Sequence, residues 1–207
     1  EFGVREIDGA LWICLGFEKL MCCDALKIAG DHNIANVLAA LALGSALDLP
    51  MAGLLKGAAG FRGLPHRCQL VRKVNGVRYI DDSKGTNVGA TEAALIGLSS
   101  EGPIWLILGG QGKGQDFSQL QQVVSERCVG LIVLGQAAGE ITDLLGRAAR
   151  IEQVNTVEEA VLRASRLARS GDTVLLSPAC ASLDMFSSYV ERGERFQYAV
   201  QALEVTS

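Results

Sequence analysis

What most limits the possible folds of this chain is a set of short, unbroken apolar runs in its second half: PIWLILGG at 103–110, VGLIVLG at 129–135 and TVLLSP at 173–178. Each has the length of a strand and lacks the polar alternation of a sheet with one wet face, so each reads as a strand buried on both sides. Helical spacing fills the intervals at 117–126, 137–149 and 157–169, a short strand is expected at 151–154, and a last helix from about residue 183. Upstream, QLVRKV and VRYID flank Asn75-Gly76 as a hairpin, and 86–98 reads as helix. Strands and helices in alternation predict an α/β domain, a doubly wound, mostly parallel, Rossmann-like sheet.

The first third is different. Short β-prone runs broken by Asp8-Gly9 and Gly16 predict a hairpin or small antiparallel sheet. Ile34, Val37, Leu38, Leu41 and Leu47 then recur at helical spacing, with Asp31 as the expected N-cap and Pro50 as the stop, and a second helix covers 51–59. The segment GFRGLPHR interrupts both patterns, which puts a domain boundary near Gly63 and divides the chain into 1–63 and 64–207.

Composition removes several function classes. With 207 residues, 49% hydrophobic and 20% charged, the chain is globular, and a formal charge of −4 supplies no basic field for a phosphate backbone. Nucleic acid is not an expected partner. Aromatics at 5% and 24 glycines suit close helix-on-sheet packing around a small ligand. The six cysteines contain no CxxC pair, which argues against a zinc knuckle or disulfide framework and for a reducing, cytoplasmic setting. The most apolar stretch, 37–43, is far shorter than the ~20 residues of a membrane span, so no membrane partner is expected.

In open parallel sheets ligands bind beyond the carboxyl ends of the strands. The loop DDSKGTN after VRYI offers two carboxylates, a lysine and Thr86, expected to cap the following helix. GGQGKGQDF after PIWLIL lets backbone approach a ligand while Lys113 supplies a cation; it is not G-x-x-x-x-G-K-[ST], which occurs nowhere in the chain. In SPACASLDMFSSYVERG, Ser182 is expected to cap a helix whose first turn could meet an anion. Cys180 lacks a histidine in a neighbouring loop and reads as a buried thiol, not a nucleophile. His32, Asn33 and Asn36 on a first helical turn either cap it or meet a nucleotide, and Arg67 is a surface charge or a phosphate clamp.

In this order GDHNIAN, GLPHR, DDSKGTNVGATEAAL, GGQGKGQDFSQL and SPACASLDMFSSYVERGERF resemble the Mur ligase family over nearly the whole chain. HN-x-x-N is shared with folylpolyglutamate synthetases, whereas DSKGTN, GGQGKGQDF and SPACASLDMF resemble the D-glutamate-adding branch, and the DNPR motif of the diaminopimelate- or lysine-adding branch is missing. The resemblance implies that 1–63 ends a central ATP-binding domain and that 64–207 is a C-terminal Rossmann-like domain binding D-glutamate. It implies an ATP-dependent ligase of peptidoglycan precursor synthesis that phosphorylates the L-alanine carboxylate of UDP-N-acetylmuramoyl-L-alanine and couples D-glutamate to the acyl phosphate, with Mg2+ as cofactor and a monomeric full-length protein.

By the same resemblance Asn36 contacts adenine, Asp82 binds ribose and Arg67 reaches ATP, while Lys84 is the catalytic lysine beside ATP and the reacting phosphate. Thr86 and Lys113 hold one carboxylate of D-glutamate, and Ser182 with the backbone near Leu183 holds the other; Tyr189 stands where the family often has phenylalanine. The P-loop, the magnesium-organising residues and the UDP-binding domain would precede Glu1, so the chain is expected to be a C-terminal fragment, inactive alone. Two alternatives are a non-catalytic amino-acid- or nucleotide-binding module and a folylpolyglutamate synthetase-like ligase, which would take L-glutamate.

Overall fold

The computed structural model describes residues 1–28, 30–98 and 102–205, with the backbone alone for 31 and 32. Two compact units result, Glu1–Gly63 and Leu64–Ser207. In the first, β1 (Phe2–Ile7), β2 (Ala10–Leu15) and β3 (Glu18–Cys22) form an antiparallel sheet in that order. Asp8 and Gly9 both take positive φ, 55° and 76°, the two-residue turn whose twist matches paired strands. Two helices follow, α1 (Asp31–Ala46) and α2 (Met51–Gly60), and Ile13, Met21, Val37 and Leu41 are the buried centre. Gly44 has a packing reason: a Cβ there would overlap the Leu54 side chain of α2.

The second unit holds a six-stranded sheet of β4 (Gln69–Val74), β5 (Val77–Asp81), β6 (Ile104–Gly109), β7 (Cys128–Leu134), β8 (Arg150–Gln153) and β9 (Thr173–Leu176), ordered β4-β5-β9-β6-β7-β8. Only the β4–β5 pair is antiparallel. The continuous apolar runs are explained by alternate residues serving opposite faces. Leu106, Leu108, Leu131, Val133 and Leu175 pack with α3 (Val88–Gly97), α4 (Gln121–Arg127) and α5 (Ala138–Leu145), whereas Trp105, Ile107, Ile132, Val174 and Leu176 pack with α6 (Val157–Leu167) and α7 (Tyr189–Gln201). Complete burial of each such side chain contributes roughly 1.5–3 kcal/mol against conformational entropy. Among the described residues no helix is long and apolar enough to cross a membrane.

The caps depart from expectation. Helix α3 is capped by Asn87, whose side chain accepts from Ala90 N, because bonds from Gly85 N to Asp82 O and from Thr86 N to Lys84 O keep Thr86 inside the preceding turn. The last helix starts at Tyr189, not near 183. Ser182 O accepts from Met185 N and Phe186 N in one isolated turn, and the cap is Ser188, accepting from Glu191 N while the Glu191 carboxylate accepts from Ser187 N. In α1 the cap position falls to Gly30, with φ 95°, and Asp31 is the first helical residue. The stretch expected as helix over 117–126 opens as a 3-10 turn, Phe117–Leu120, before α4, and α5 ends at Leu145, short of 149.

Candidate functional site

Strands β9 and β6 are parallel neighbours whose continuations leave on opposite faces, β6 towards α4 and β9 towards α7. Such a reversal opens a crevice beyond the carboxyl ends of the strands. Three loops meet there, after β5, β6 and β9, and main-chain bonds join them: Asp82 N to Leu176 O (2.8 Å), Gly109 N to Pro178 O (2.9 Å), Ala179 N to Gly85 O (2.9 Å) and a reciprocal pair between Gln111 and Ala181 (2.9 and 3.1 Å). Gly109 and Gly110, at φ 122° and 127°, allow this approach, since a Cβ on either would strike a carbonyl, that of Leu134 or Ala181.

The β5 loop carries an acidic pair that works inward. Asp81 is fully buried; its Oδ1 accepts from Ser83 N (2.8 Å), its Oδ2 accepts from Gln197 Nε2 (2.7 Å), and His66 Nδ1 lies 2.7 Å from that Oδ2. Gly193 on α7 makes room for the histidine, because a Cβ there would overlap its ring. Asp82 is 7% exposed and accepts from Cys68 N (3.2 Å) and Ser177 Oγ (2.7 Å). Burial pushes its carboxyl up to about 6, Asp81 adds to the rise, and those two donors oppose it.

Beside the acids sits a buried cation. Arg192, 2% exposed, donates to Ser83 Oγ (3.0 Å), Ser83 O (2.8 Å) and Cys180 O (3.1 Å), and among the described residues no carboxylate pairs with it. Burial lowers its pKa only to about 10, so it keeps its charge at neutral pH among uncharged oxygens. Lys84 Nζ lies 4.2 Å from the Tyr189 ring centroid, a cation–π contact, and Lys84 N donates to His66 O (3.0 Å). Cys180 is fully buried and its thiol is pushed up to about 12 by burial, which leaves almost no thiolate at neutral pH.

The remaining residues picked from the sequence fall as follows. Thr86 is half-buried, Lys113 is exposed at φ 52° beside Gly114, Ser182 is 4% exposed and Leu183 is 61% exposed. The three loops bearing Thr86, Lys113 and Ser182 are thus tied together. The Ser182 hydroxyl has no hydrogen-bond partner among the described residues, and the turn it opens is anchored by Asp184 Oδ2, which accepts from Gln136 N (2.8 Å). Arg67 is exposed, next to the buried His66. Asn36 lies exposed on α1 of the first unit with its amide directed to Asn33 Oδ1 (3.5 Å), and the side chain of His32 lies outside the described residues. No group of three metal-ligating side chains gathers among the described residues.

Sequence reasoning named both acids of DDSKGTN but missed the partnership of Asp81 with His66, and it missed Arg192. One signal was available for the last: 192, 196 and 200 fall on one helical stripe with Phe196 and Val200, so Arg192 occupies a core position.

The Mur ligase glutamate ligase domain matches residues 66–180, more than half of the chain. The chain belongs to the Mur ligase family. It is 50% identical over 204 residues to the UDP-N-acetylmuramoylalanine–D-glutamate ligase of Pseudomonas aeruginosa, covering 98% of this chain and 46% of that protein. The same-named ligase of Nitrosococcus oceani is 47% identical over 203 residues, with 98% and 45% covered. The chain therefore spans less than half the length of these Mur ligase relatives. A Mycobacterium tuberculosis folylpolyglutamate synthase solved with ADP and AMPPCP superposes with a TM-score of 0.67 at 14% identity, over 99% of this chain and 48% of that one, a likeness of fold.

Proposed function

We propose that this chain is the amino-acid-accepting portion of an ATP-dependent ligase of peptidoglycan precursor synthesis, which joins D-glutamate to UDP-N-acetylmuramoyl-L-alanine. The observation that carries the reading is the junction of the three loops at the β9–β6 reversal, which joins the segments bearing the Lys113 cation, the half-buried Thr86 and the Ser182 hydroxyl, unpartnered among the described residues. That arrangement suits a ligand with two carboxylates, and the two relatives named as D-glutamate ligases support the choice of that amino acid.

Thr86 and Lys113 hold one carboxylate of D-glutamate; Ser182 and the backbone at Leu183 hold the other, with the Tyr189 ring alongside. Two carboxylates fixed about one stereocentre reject the mirror image, because it leaves a charged group without its partner. ATP would supply the phosphoryl group that activates the L-alanine carboxylate of the UDP-linked substrate for attack by the D-glutamate amine. In this reading, and within the second unit, Lys84 and Arg67 are the cations for phosphate and Asp82 the acceptor for ribose hydroxyls, through carboxylate lone pairs that its donors Cys68 N and Ser177 Oγ leave over; within the first unit the exposed Asn36 amide is the group for adenine. Magnesium belongs to the same reading, with none of its ligands assigned within this chain.

The test is a titration of the isotope-labelled chain with D-glutamate and, separately, L-glutamate, followed by amide shifts. D-glutamate alone is expected to move amides at Thr86, Lys113 and Ser182, and Lys113→Ala to abolish the effect. Equal shifts with both enantiomers would remove the D-glutamate assignment.

A further inference from the structure

Each of the three loops contributes a ligand-binding candidate, yet among the described residues the one side chain hydrogen-bonded to the segments following β5, β6 and β9 alike is none of these. Gln115 Oε1 accepts from Val88 N (2.9 Å), while its Nε2 donates to Ala179 O (2.9 Å) and to Gly112 O (3.3 Å). The orientation of the amide is dictated by its partners, since Val88 N–H can only donate and Ala179 O can only accept. No other amino acid of that length offers both functions at one end.

The three contact points are mechanically important. Val88 opens α3, where the N–H groups of the first turn lack helical partners, and Asn87 satisfies only that of Ala90. Ala179 is fully buried with φ 55°, a left-handed conformation that costs energy for a residue with a Cβ, and both of its main-chain groups are held from other loops: N–H by Gly85 O, carbonyl by Gln115. Gly112 O also accepts from Gln115 N (3.2 Å), which closes the turn on Lys113, itself at φ 52°. In sequence Thr86 lies two residues before Val88, Lys113 two before Gln115 and Ser182 three after Ala179.

We propose that Gln115 is the positioning residue of the acceptor site, holding the Thr86, Lys113 and Ser182 loops in mutual register before the amino acid arrives. This rests on the acceptor reading of the preceding section. Without the amide, the loops keep their main-chain seam but lose the tie that fixes the α3 entrance and the Lys113 turn together, so ligand binding has to order them. The effect falls on affinity and on discrimination between enantiomers, which depends on the spacing of the two carboxylate holders.

The experiment measures dissociation constants for D- and L-glutamate on the full 207-residue chain, unsubstituted and as Gln115→Met, which keeps the length but no hydrogen bond. Gln115→Met is expected to weaken D-glutamate roughly tenfold, to lower the D-to-L ratio, and to speed exchange of the Val88 amide and of the residue-115 main-chain amide that closes the Lys113 turn in the free protein. Gln115→Glu keeps the acceptor for Val88 N and the entrance of α3, so it serves if the methionine variant does not fold. It is expected to weaken D-glutamate relative to the unsubstituted chain even at high salt, where its added charge is screened. A lowered unfolding midpoint with an unchanged D-to-L ratio would mean a structural tie only and overturns the proposal. Unchanged affinity in both variants overturns it also, leaving the acceptor reading standing. If the unsubstituted chain binds neither enantiomer, the acceptor reading falls and takes this role of Gln115 with it.

Discussion

Arg192 and Ser83, on α7 and in the β5 loop, are joined by two hydrogen bonds, Nε to Oγ (3.0 Å) and Nη2 to the main-chain carbonyl (2.8 Å). The same serine hydroxyl donates to Tyr189 O (2.7 Å), so the bonds run in one direction, from guanidinium through hydroxyl to the start of the last helix. The contact fixes the loop that carries Asp82 and Lys84 against the helix whose first residue meets Lys84.

Replacing Arg192 with Met therefore leaves Ser83 O and Cys180 O buried and unpaired, at an expected cost of about 2–4 kcal/mol. Arg192→Lys recovers part of this, since an ammonium on a shorter reach cannot span all three oxygens. Urea unfolding followed by Trp105 emission in a Trp12→Phe background measures both, because Trp105 belongs to the same unit as Arg192.

Asp82 gives a pH signature. Its folded pKa, about 6, stands above the ordinary carboxyl value of 3.8, so the folded state holds its proton more tightly than the unfolded chain. Stability is therefore greatest, as far as this group is concerned, below the unfolded pKa, and falls as pH rises through the folded one, by up to ~3 kcal/mol. Asp82→Asn is expected to flatten the pH dependence of unfolding free energy between about 4 and 6; an unaltered slope would exclude Asp82 as its source.

Gly193→Ala tests the packing of α7 on His66. The added methyl overlaps the imidazole ring and crowds Asp81 Oδ2, and both neighbours are buried, so the expected loss is about 1–3 kcal/mol. A displaced His66 ring resonance in the NMR spectrum would accompany it, whereas Gly139→Ala on α5, where a Cβ meets nothing within 4 Å, leaves that resonance in place and causes no loss of stability.

The two serines near the last helix separate structure from ligand contact. Ser188→Ala removes a cap and is expected to cost about 1 kcal/mol. Ser182→Ala removes a hydroxyl without a hydrogen-bond partner among the described residues, so its effect on stability should stay within about 0.5 kcal/mol while D-glutamate affinity drops. Thermal melts and the titration described above read the two effects independently.

Much of this fold is legible in the chain because burial on both faces writes itself as unbroken apolar runs, as in Ile104–Gly109 and Thr173–Leu176. The crevice was legible for the same reason, since parallel strands send their loops to one edge. Caps were not, because Thr86 stands beside Asn87, and Ser182 precedes Ser187 and Ser188, with propensity alike at each; bonds from distant loops decide which is used. His66 with Asp81, Gln115 with Ala179 and Arg192 with Ser83 are 15, 64 and 109 residues apart, and no local pattern reports such pairs. The roles proposed for Asn36 and Arg67 rest on family likeness, and loop position alone marks Lys113 only as a cation for an anion, since an exposed amide or cation has no periodicity to betray it.

The seam at Gly109, Gly110, Gln111, Ala179 and Ala181 is closed mainly by amides and carbonyls. Frame and proposed readout are thereby written largely in different atoms: the main-chain seam, tied further by the Gln115 amide, shapes the crevice, and the proposed choice of amino acid falls to a few side chains at its rim. A lineage could exchange one acidic acceptor for another by substitutions at positions such as 86, 113 and 182 without reopening the sheet beneath.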